Sequence, residues 1–253
     1  MYNLLICGCS GKMGGVVARL ANEYDCTVVA GFDKYIKPLD FPVYDNFDDV
    51  KMDIDIIIDF SKPETLSDLL SFATSKKIPV IIATTGHTAS QAEEIHKASS
   101  IIPIFYSANL SIGINLIAEL AKQAASLLQD NFDIEILEKH HNQKVDAPSG
   151  TAIMLADKIS SVLSYNSNYV YDRHIKREKR DKKEIGFSSI RGGTIVGEHE
   201  VIFAGTDEVI TIGHTAMSKE VFAVGALKAV SFLVSEKPGL YDMTNLVAKI
   251  LNN

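Results

Sequence analysis

The chain has 253 residues, of which 46% are hydrophobic and 23% are charged. This is enough apolar material for one large domain or two smaller ones. A formal net charge of −7 argues against general binding to nucleic acids or anionic membranes, and no apolar run approaches the length of a membrane span. The N-terminus lacks a signal-peptide pattern, so we expect a cytoplasmic protein.

The three cysteines, Cys7, Cys9 and Cys26, are expected to be reduced thiols, because their odd number and placement do not suggest a disulfide framework. Cys7-x-Cys9 lacks the second ligand pair of a zinc site. No metal site is therefore predicted.

The first predicted element is the strand Tyr2–Cys7, which leads through the glycine turn Gly8-Cys-Ser-Gly-Lys-Met-Gly14 into a helix at 16–21. Strand, glycine turn and helix are the context of a dinucleotide-binding turn, where N–H groups at a helix N-terminus hold a pyrophosphate. The spacing is G-x-x-G-x-x-G rather than the strict G-x-G-x-x-G, so a tight turn without a ligand is the alternative.

A second predicted strand, at 27–31, delivers Asp33 about 20 residues after the glycine turn, near the position expected for a ribose-binding acid. Asp33 suits the free hydroxyls of NAD, whereas Lys12 and Lys34 flank the same place and could reach the 2′-phosphate of NADP. We therefore expect NADH, NADPH or both as cofactors. A surface Asp–Lys pair is the alternative.

Strand and helix signals then alternate along the chain. Strands are predicted at 54–60, 79–83 and 101–106, and helices at 65–75 and 90–98. This βαβ series predicts an α/β fold with a Rossmann-type doubly wound parallel sheet, whose ligands bind beyond the carboxyl ends of the strands. The turns at 8–14, 33–34, 60–61, 84–86 and 107–110 all fall at those ends.

The pattern changes after Asn109. A long helix at 114–128 and a strand at 132–138 are followed by three strand-like segments at 184–191, 195–204 and 208–214. Hairpin turns are predicted at Gly192-Gly193 and at Gly205-Thr-Asp207. These segments predict a second α+β domain with a mainly antiparallel sheet, and final helices at 221–235 and 246–251 that return to the first domain.

We accordingly expect a dinucleotide-binding domain at 1–110 and 218–253, and a substrate-binding and oligomerisation domain at 111–217. A basic run, Arg173-His-Ile-Lys-Arg-Glu-Lys-Arg-Asp-Lys-Lys183, contains acidic residues and is interpreted as a solvated loop. The alternatives are a nucleic-acid patch or a cation placed over a dianionic substrate.

The span Glu138-Lys-His-His-Asn-Gln-Lys-Val-Asp-Ala-Pro-Ser-Gly-Thr-Ala152 carries the densest chemistry. A histidine exchanges protons near neutral pH, and Lys144 supplies a compact positive charge. The N–H groups of Ser149, Gly150 and Thr151 would open a helix at 152–162 and favour an anion there. The span predicts a proton donor beside an anion-binding corner; a polar loop that holds two histidines is the alternative.

With these residues in view, nearly the whole chain resembles the 4-hydroxy-tetrahydrodipicolinate reductase family, formerly called dihydrodipicolinate reductase. The 138–152 span is very close to the family signature. Further motifs match in order: Asp59-Phe60-Ser61, Ala83-Thr-Thr-Gly86, Asn109-Leu-Ser-Ile-Gly-Ile-Asn115, Ile185-Gly-Phe187, Arg191-Gly-Gly193 and Val196-Gly-Glu-His199.

The resemblance implies an NAD(P)H-dependent oxidoreductase of lysine and diaminopimelate biosynthesis, which acts on a small dicarboxylate and forms a homotetramer. It implies His140 as the proton donor, Lys144 as a second catalytic residue, and His141, Ser149, Gly150 and Thr151 as substrate contacts. The implied cofactor-binding residues are Gly8, Cys9, Ser10, Gly11, Lys12, Met13, Asp33, Lys34, Phe60, Ala83, Thr84, Thr85, Ser107, Ala108, Asn109 and Leu110.

The chain departs from the family pattern at four positions. Ala83 occupies a position where glycine is frequent, Leu110 one where phenylalanine is frequent, Asp33 one where glutamate is frequent, and Lys219 one where arginine is common. None of these removes a predicted catalytic group. The competing functions are another two-domain NAD(P)-dependent dehydrogenase and a non-catalytic NAD(P)-binding sensor.

Overall fold

The computed structural model describes residues 1–174 and 176–251, and the chain forms two compact units. The first unit comprises Met1–Ile112 and the described residues from Glu220 onward, and the second comprises Gly113–Lys219. The first unit is thus built from two chain segments that are far apart in sequence. Within the described ranges, no helix has the length and apolar character needed to cross a membrane.

The strands of the described chain, numbered in sequence order, extend over short segments. They are β1 (Tyr2–Cys7), β2 (Cys26–Phe32), β3 (Val43–Tyr44), β4 (Ile56–Asp59), β5 (Val80–Ile82), β6 (Pro103–Tyr106), β7 (Asp133–His140), β8 (Asn168–Val170), β9 (Glu184–Arg191), β10 (Gly197–Ala204), β11 (Val209–Ala216) and β12 (Gly239–Tyr241). The sequence did not predict β3, β8 and β12, because two or three residues are too few to show an alternating pattern.

The α-helices lie close to the predicted ranges. They are α1 (Lys12–Leu20), α2 (Leu66–Lys76), α3 (Ala89–Ser99), α4 (Ile112–Leu128), α5 (Gly150–Ser160), α6 (Glu220–Leu233) and α7 (Met243–Leu251). The largest difference is at α1, which begins four residues before the predicted position. Gly14 and Gly15 therefore lie in the helix and not in the turn that precedes it.

The sheet of the first unit has the order β12-β6-β5-β4-β1-β2-β3, and every neighbouring pair is parallel. The order reverses between β4 and β1, where a doubly wound sheet opens to bind ligands. This confirms the predicted Rossmann-type sheet.

Apolar layers cover both faces of this sheet. Ile56 and Ile58 face one core cluster with residues of α1, α6 and α7, and Ile57 faces a second cluster with residues of α2 and α3. A strand buried on both faces requires a continuous β-branched run, which is what β4 provides. Removal of this apolar surface from water stabilises the sheet.

The five-stranded sheet of the second unit has the order β11-β10-β7-β9-β8. It is mixed rather than mainly antiparallel: β10 pairs antiparallel with β11 and β7, whereas β9 pairs parallel with β7 and β8. The Gly205 hairpin between β10 and β11 is confirmed. The Gly192-Gly193 hairpin prediction is wrong, because β7 lies between β9 and β10, so the chain crosses over at these glycines.

Helices α4 and α5 pack on the second sheet around a separate core. The alternating burial of β7 follows from its position in the sheet, since one face contacts the helices and the other is half-buried. Because of this alternation, the first residues of the 138–152 span, which belong to β7, lie in turn on the half-buried and the buried face of the sheet.

Candidate active site

Close backbone approaches shape the glycine turn between β1 and α1. Gly8 has a φ of +77°, and a Cβ there would lie 2.5 Å from the carbonyl oxygen of Phe60. A Cβ on Gly14 would lie 2.3 Å from the carbonyl oxygen of Gly8, so only glycine lets α1 pack against the turn. No side-chain hydrogen bond caps the helix at Gly11, which suits the N-terminus of α1 to an anion.

Asp33 ties this turn to the loop that follows β2. Its Oδ2 accepts a hydrogen bond from the Ser10 N–H at 3.0 Å, and its Oδ1 accepts one from the Tyr35 N–H at 3.1 Å. The Ser10 hydroxyl donates to the Tyr35 carbonyl at 2.8 Å, and Lys37 Nζ donates to the Ser10 carbonyl at 3.0 Å. The Asp33 carboxylate therefore organises the rim of the turn.

A cavity of ≈ 330 Å³ lies at this end of the first sheet. Its lining residues are Gly8, Ser10, Gly11, Phe32, Asp33, Lys34, Tyr35, Lys37, Phe60, Ser61, Lys62 and Thr65. Six of them belong to the predicted cofactor site. Three lysines and one carboxylate favour an anionic ligand, and the uncapped helix N-terminus adds N–H donors, so the residues present fit a dinucleotide.

The remaining predicted cofactor residues have different environments. Cys9, Thr84 and Leu110 are buried, and Lys12, Thr85 and Ala108 are exposed, with Met13, Ala83, Ser107 and Asn109 between these extremes. The residues after β5 and β6 follow neighbouring parallel strands, so they share the edge of the sheet at which Phe60 follows β4. Their contacts with a nicotinamide stay predictions.

In the second unit, β7 presents two titratable side chains on its buried face. Glu138 and His140 are buried, because residues two apart on a strand point to the same side. The neighbouring strands complete the group: Arg191 of β9 pairs with His140, and His199 of β10 pairs with Glu138. Residues from three strands thus meet at the carboxyl end of β7.

A buried carboxylate is the centre of this group. Arg191 donates from Nη1 to Glu138 Oε2 at 2.8 Å and from Nη2 to Glu138 Oε1 at 2.7 Å, a bidentate ion pair. Nδ1 of His140 lies 2.5 Å from Glu138 Oε2, and the Ser149 N–H donates to Glu138 Oε1 at 3.3 Å. An ionised Glu138 therefore accepts the Nδ1–H of His140.

These contacts set the protonation of both groups. Burial alone raises the pKa of Glu138, but hydrogen bonds from Arg191, Ser189 and His140 outweigh it and lower the pKa to about 2. The pKa of His140 is lowered by burial, with Glu138 acting in the opposite direction and the Lys144 and Arg191 cations adding to the decrease. Glu138 is therefore a carboxylate at neutral pH.

The N-terminus of α5 is fixed from the same group. The Ser149 hydroxyl accepts from the Ala152 N–H at 3.2 Å and lies 3.0 Å from Nε2 of His199. Burial, with a smaller contribution from His140, lowers the pKa of His199 to about 4, so its ring is neutral at neutral pH and shares a hydrogen bond with the hydroxyl. Ser149 is only 1% exposed, whereas Gly150 is exposed and Thr151 is half-buried.

The loop between β7 and α5 carries the other predicted residues. Lys144 Nζ lies 2.8 Å from Asp146 Oδ1, and this contact lowers the pKa of Asp146. His141 is half-buried at the start of the loop. A Cβ on Gly197 would lie 3.1 Å from Nε2 of His140, so the small residue leaves space beside the one ring nitrogen that Glu138 does not occupy.

Both parts of the chain match models of one family. The model described as Dihydrodipicolinate reductase, N-terminus, matches residues 2–110, and the model described as Dihydrodipicolinate reductase, C-terminus, matches residues 113–247. The chain belongs to the dihydrodipicolinate reductase family. The resemblance predicted from the sequence motifs is confirmed.

Curated members of this family are similar over nearly the full length. The 4-hydroxy-tetrahydrodipicolinate reductase of Caldanaerobacter subterraneus subsp. tengcongensis is 56% identical over 250 residues, which cover 98% of this chain and 99% of that protein. The enzyme of the same name from Clostridium novyi is 46% identical over 250 residues, which cover 98% of each chain.

Solved structures share the fold at lower identity. Dipicolinate-bound dihydrodipicolinate reductase from Paenisporosarcina sp. TG-14 aligns with a TM-score of 0.81 and 24% identity, covering 96% of this chain and 97% of that one. A myo-inositol dehydrogenase from Corynebacterium glutamicum aligns with a TM-score of 0.61 and 15% identity, covering 99% and 94%. Related folds therefore occur in other dehydrogenases, so the fold does not define the substrate.

Sequence reasoning assigned no role to four residues that this reductase-family site contains: Glu138, Arg191, His199 and Gly197. Glu138 was recoverable, since it lies two residues before His140 on a predicted strand and shares its face. Arg191, Gly197 and His199 belong to other strands, and only the observed strand order brings them to β7.

The described residues of the basic run are exposed except for Arg180, as expected for a solvated loop, and two of its arginines form ion pairs. Arg180 Nη1 donates to Asp133 at 2.9 Å and Arg180 Nε donates to Glu135 at 3.1 Å. Arg173 pairs with Glu135 at 2.8 Å and with Glu184 at 2.5 Å. Arg173 and Arg180 therefore attach the run to the second unit. Ile175, which belongs to it, lies outside the described residues.

Proposed function

We propose that this chain is a 4-hydroxy-tetrahydrodipicolinate reductase. The reaction reduces (2S,4S)-4-hydroxy-2,3,4,5-tetrahydrodipicolinate to tetrahydrodipicolinate with NADH or NADPH and releases water, as a step of lysine biosynthesis through diaminopimelate. The supporting observation is that a buried Glu138–His140 pair lies beside the N-terminus of α5 in a chain 56% identical to a curated enzyme of that name.

The first unit would bind the cofactor. The turn from Gly8 to Met13 would hold the pyrophosphate through the N–H groups at the start of α1, because the N–H groups of Gly8, Ser10 and Gly11 already donate within the protein. Asp33 would contact the adenosine ribose beside Lys34. Ala83, Thr84 and Thr85, with residues 107–110, would line the nicotinamide. The bound cofactor supplies the hydride. The same cavity carries Asp33 and three lysines, which supports use of both NADH and NADPH.

The second unit would bind the dicarboxylate. Gly150 and Thr151, at the N-terminus of an 11-residue helix, would hold one carboxylate through backbone N–H groups. Ser149 would keep that N-terminus in place through its cap and its contact with His199. His141 and Lys144 would hold the remaining negative charge. The dipicolinate bound to the Paenisporosarcina reductase has two carboxylates on a nitrogen-containing ring, which supports this class of ligand.

His140 would donate the proton. Loss of water from the hydroxylated substrate gives a conjugated ring, and hydride addition builds negative charge on it. Nε2–H of His140 would transfer its proton to the ring, while Lys144 stabilises the charge electrostatically. The ring of His140 would end neutral, with Nδ1–H still bonded to Glu138, and regain a proton from solvent.

The domain assignment supports a division of labour. We assign dinucleotide binding to 1–110 and 218–253, and substrate binding with assembly to 111–217. The boundaries lie within two residues of those of the two compact units. We further propose a cytoplasmic homotetramer, assembled through the second unit.

The test is oxidation of reduced nicotinamide, followed by absorbance, with substrate generated from pyruvate and aspartate semialdehyde by the upstream synthase. NADH and NADPH are compared in parallel. Synthase-dependent oxidation is expected with at least one of them. His140→Ala/Lys144→Ala should bind cofactor normally and lose turnover. The exposed pair His174→Ala/Lys179→Ala is the matched control and should retain turnover.

Two outcomes would contradict the proposal. Folded protein that binds cofactor but shows no synthase-dependent oxidation would favour the sensor. Oxidation that survives removal of both His140 and Lys144 would favour a dehydrogenase with a different substrate and a different proton donor.

A further inference from the structure

We infer that Glu138 and Arg191 are positioning residues for proton donation by His140. Arg191 fixes the carboxylate of Glu138, and Glu138 fixes the imidazole so that only Nε2 can meet a ligand. The inference rests on the reductase function proposed above, in which His140 is the proton donor.

Arg191 is anchored by neighbouring backbone carbonyls. Its guanidinium makes two parallel bonds to the carboxylate of Glu138 and also donates to the carbonyls of Asp146, at 2.6 Å, and Ile190, at 2.8 Å. Neighbouring backbone therefore fixes the guanidinium plane, and a bidentate pair transfers that orientation to the carboxylate.

The contact with Glu138 orients the imidazole of His140. With Nδ1 engaged by Glu138, rotation of the ring would break a charge-assisted hydrogen bond inside a buried site. The side chain of His140 is 11% exposed, and Nε2 faces the space left by Gly197. The arrangement fixes the rotamer and keeps Nδ1–H bonded to Glu138, so the proton that the doubly protonated ring can release is the one on Nε2.

The protonation of His140 depends on the charged groups around it. The titratable groups around His140 come from three strands and a loop: Glu138 of β7, Arg191 of β9, His199 of β10, and Lys144 and Asp146 of the following loop. Burial and the two cations lower the pKa of His140, and Glu138 is the charge that opposes them. Asp146 is paired with Lys144, so it cannot replace Glu138.

A purely structural role for the Glu138–Arg191 pair is the competing explanation, since the pair also joins β7 to β9. The two roles differ in their effect on the pH profile. Proton donation requires protonated His140, so turnover should fall as pH rises through its pKa. Loss of the Glu138 charge lowers that pKa and moves the falling limb to lower pH, whereas loss of a structural tie only reduces the amount of folded enzyme.

The decisive variant is Glu138→Gln, and its matched control is Glu198→Gln. Glu198 is ion-paired with Lys139 at 2.9 Å, so the control also converts a paired carboxylate of the same sheet to an amide. We expect Glu138→Gln to move the falling limb of kcat down by about 1 to 3 pH units, with KM for NADH unchanged. Glu198→Gln should leave the limb in place.

Two conservative variants separate charge from geometry. Glu138→Asp keeps the charge, so the limb should return to its wild-type position. Arg191→Lys keeps the cation but cannot form the bidentate pair, so kcat should fall about tenfold with the limb unmoved. If Glu138→Gln does not fold, these two variants carry the test, and wild-type kcat in Arg191→Lys would refute the inference.

NMR titration of the His140 ring, assigned with His140→Gln, provides a readout without substrate. A lower pKa for the ring in Glu138→Gln is expected, and an unchanged pKa together with an unchanged limb would overturn the inference. Failure of the proposed function looks different: wild-type protein would then oxidise no cofactor, while the NMR comparison could still be made.

Discussion

The candidate sites of the two units depend on different kinds of contact. The nucleotide turn of the first unit depends on where backbone meets backbone, at Gly8 and Gly14. The site of the second unit depends on buried side chains that satisfy one another, with Glu138 bonded to Arg191, His140 and the backbone of Ser149. The turn of the first unit should therefore be sensitive to an added methyl group, and the site of the second unit to a change in side-chain charge or protonation.

We expect the largest effect from a substitution in the nucleotide turn, which tests whether that turn depends on close backbone contacts. Gly14→Ala adds a Cβ 2.3 Å from the Gly8 carbonyl oxygen, so the turn and helix must separate. Since overpacking costs about 1–3 kcal/mol, we expect NADH affinity to fall up to about 100-fold. Fluorescence titration measures it, with thermal unfolding as the check on folding.

Gly15→Ala is the control for that experiment, because nothing lies within 4 Å of a Cβ at this position. Its affinity should stay within about twofold of wild type. Equal losses in both variants would mean that α1 tolerates no side chain for some other reason, and unchanged binding in Gly14→Ala would remove the backbone argument.

The second prediction tests whether the site of the second unit also requires a residue without a side chain. Gly197→Ala places a methyl carbon 3.1 Å from Nε2 of His140, which should displace the ring or obstruct the substrate. We expect kcat to fall roughly 10- to 100-fold with cofactor affinity retained. Steady-state kinetics with the coupled assay measures both quantities.

The matched control is Gly213→Ala, at a glycine of the adjacent strand. Its Cβ would lie 3.5 Å from Cγ of Glu200, an ordinary contact distance, so kcat should be nearly unchanged. Wild-type turnover in Gly197→Ala would show that the space beside Nε2 has no role in catalysis.

The third prediction concerns the effect of His199 protonation on stability. The folded pKa of His199 is about 4, against 6.5 for an ordinary histidine. As pH falls below the unfolded value, the unfolded chain takes up a proton that the native ring refuses, so stability is lost from about pH 6.5 down to pH 4. Between pH 7.5 and 5.5 we expect this residue to lower the unfolding free energy by about 1 kcal/mol.

Urea unfolding of wild type and His199→Gln at both pH values measures that contribution. The variant should lose about 1 kcal/mol less than wild type between the two conditions, whatever its stability at pH 7.5. His174→Gln, at an exposed histidine of the same unit, should behave as wild type. Identical pH dependence in all three proteins would contradict the prediction.

We expect the smallest effect from a substitution in the first unit, because the side chain that it changes is exposed. Lys37 lines the cavity and bonds the Ser10 carbonyl, so Lys37→Gln should weaken NADPH binding roughly two- to fivefold and NADH binding less. Lys51→Gln, at a lysine outside this cavity, is the control. An equal loss for both cofactors would mean that Lys37 does not contact a 2′-phosphate.

The same contrast explains what could be predicted from the sequence. The first sheet follows from local patterns: a β-branched run such as Ile56–Asp59 indicates a buried strand, and glycines after β1 indicate the turn. His140 and Lys144 were predicted as site residues because one short span carries them together. The position of Lys37 at the cavity was not predicted, since nothing in its loop separates it from other surface lysines.

Strand pairing in the second sheet was the harder problem. Gly192-Gly193 suits a hairpin, and local sequence cannot indicate that β7, formed some 50 residues earlier, will lie between β9 and β10. The same long-range pairing brings Arg191 and His199 to Glu138. The parts of the site that escaped prediction are therefore those fixed by contacts distant along the chain.

The two-segment construction of the first unit has a consequence for biosynthesis. Its core includes Leu227 and Val230 of α6 and Leu246 of α7, which a ribosome adds only after all of Gly113–Lys219. Domains generally fold as units while the chain emerges. The second unit therefore has its whole sequence available first, and the nascent first unit must wait with part of its apolar surface uncovered until the last helices leave the exit tunnel.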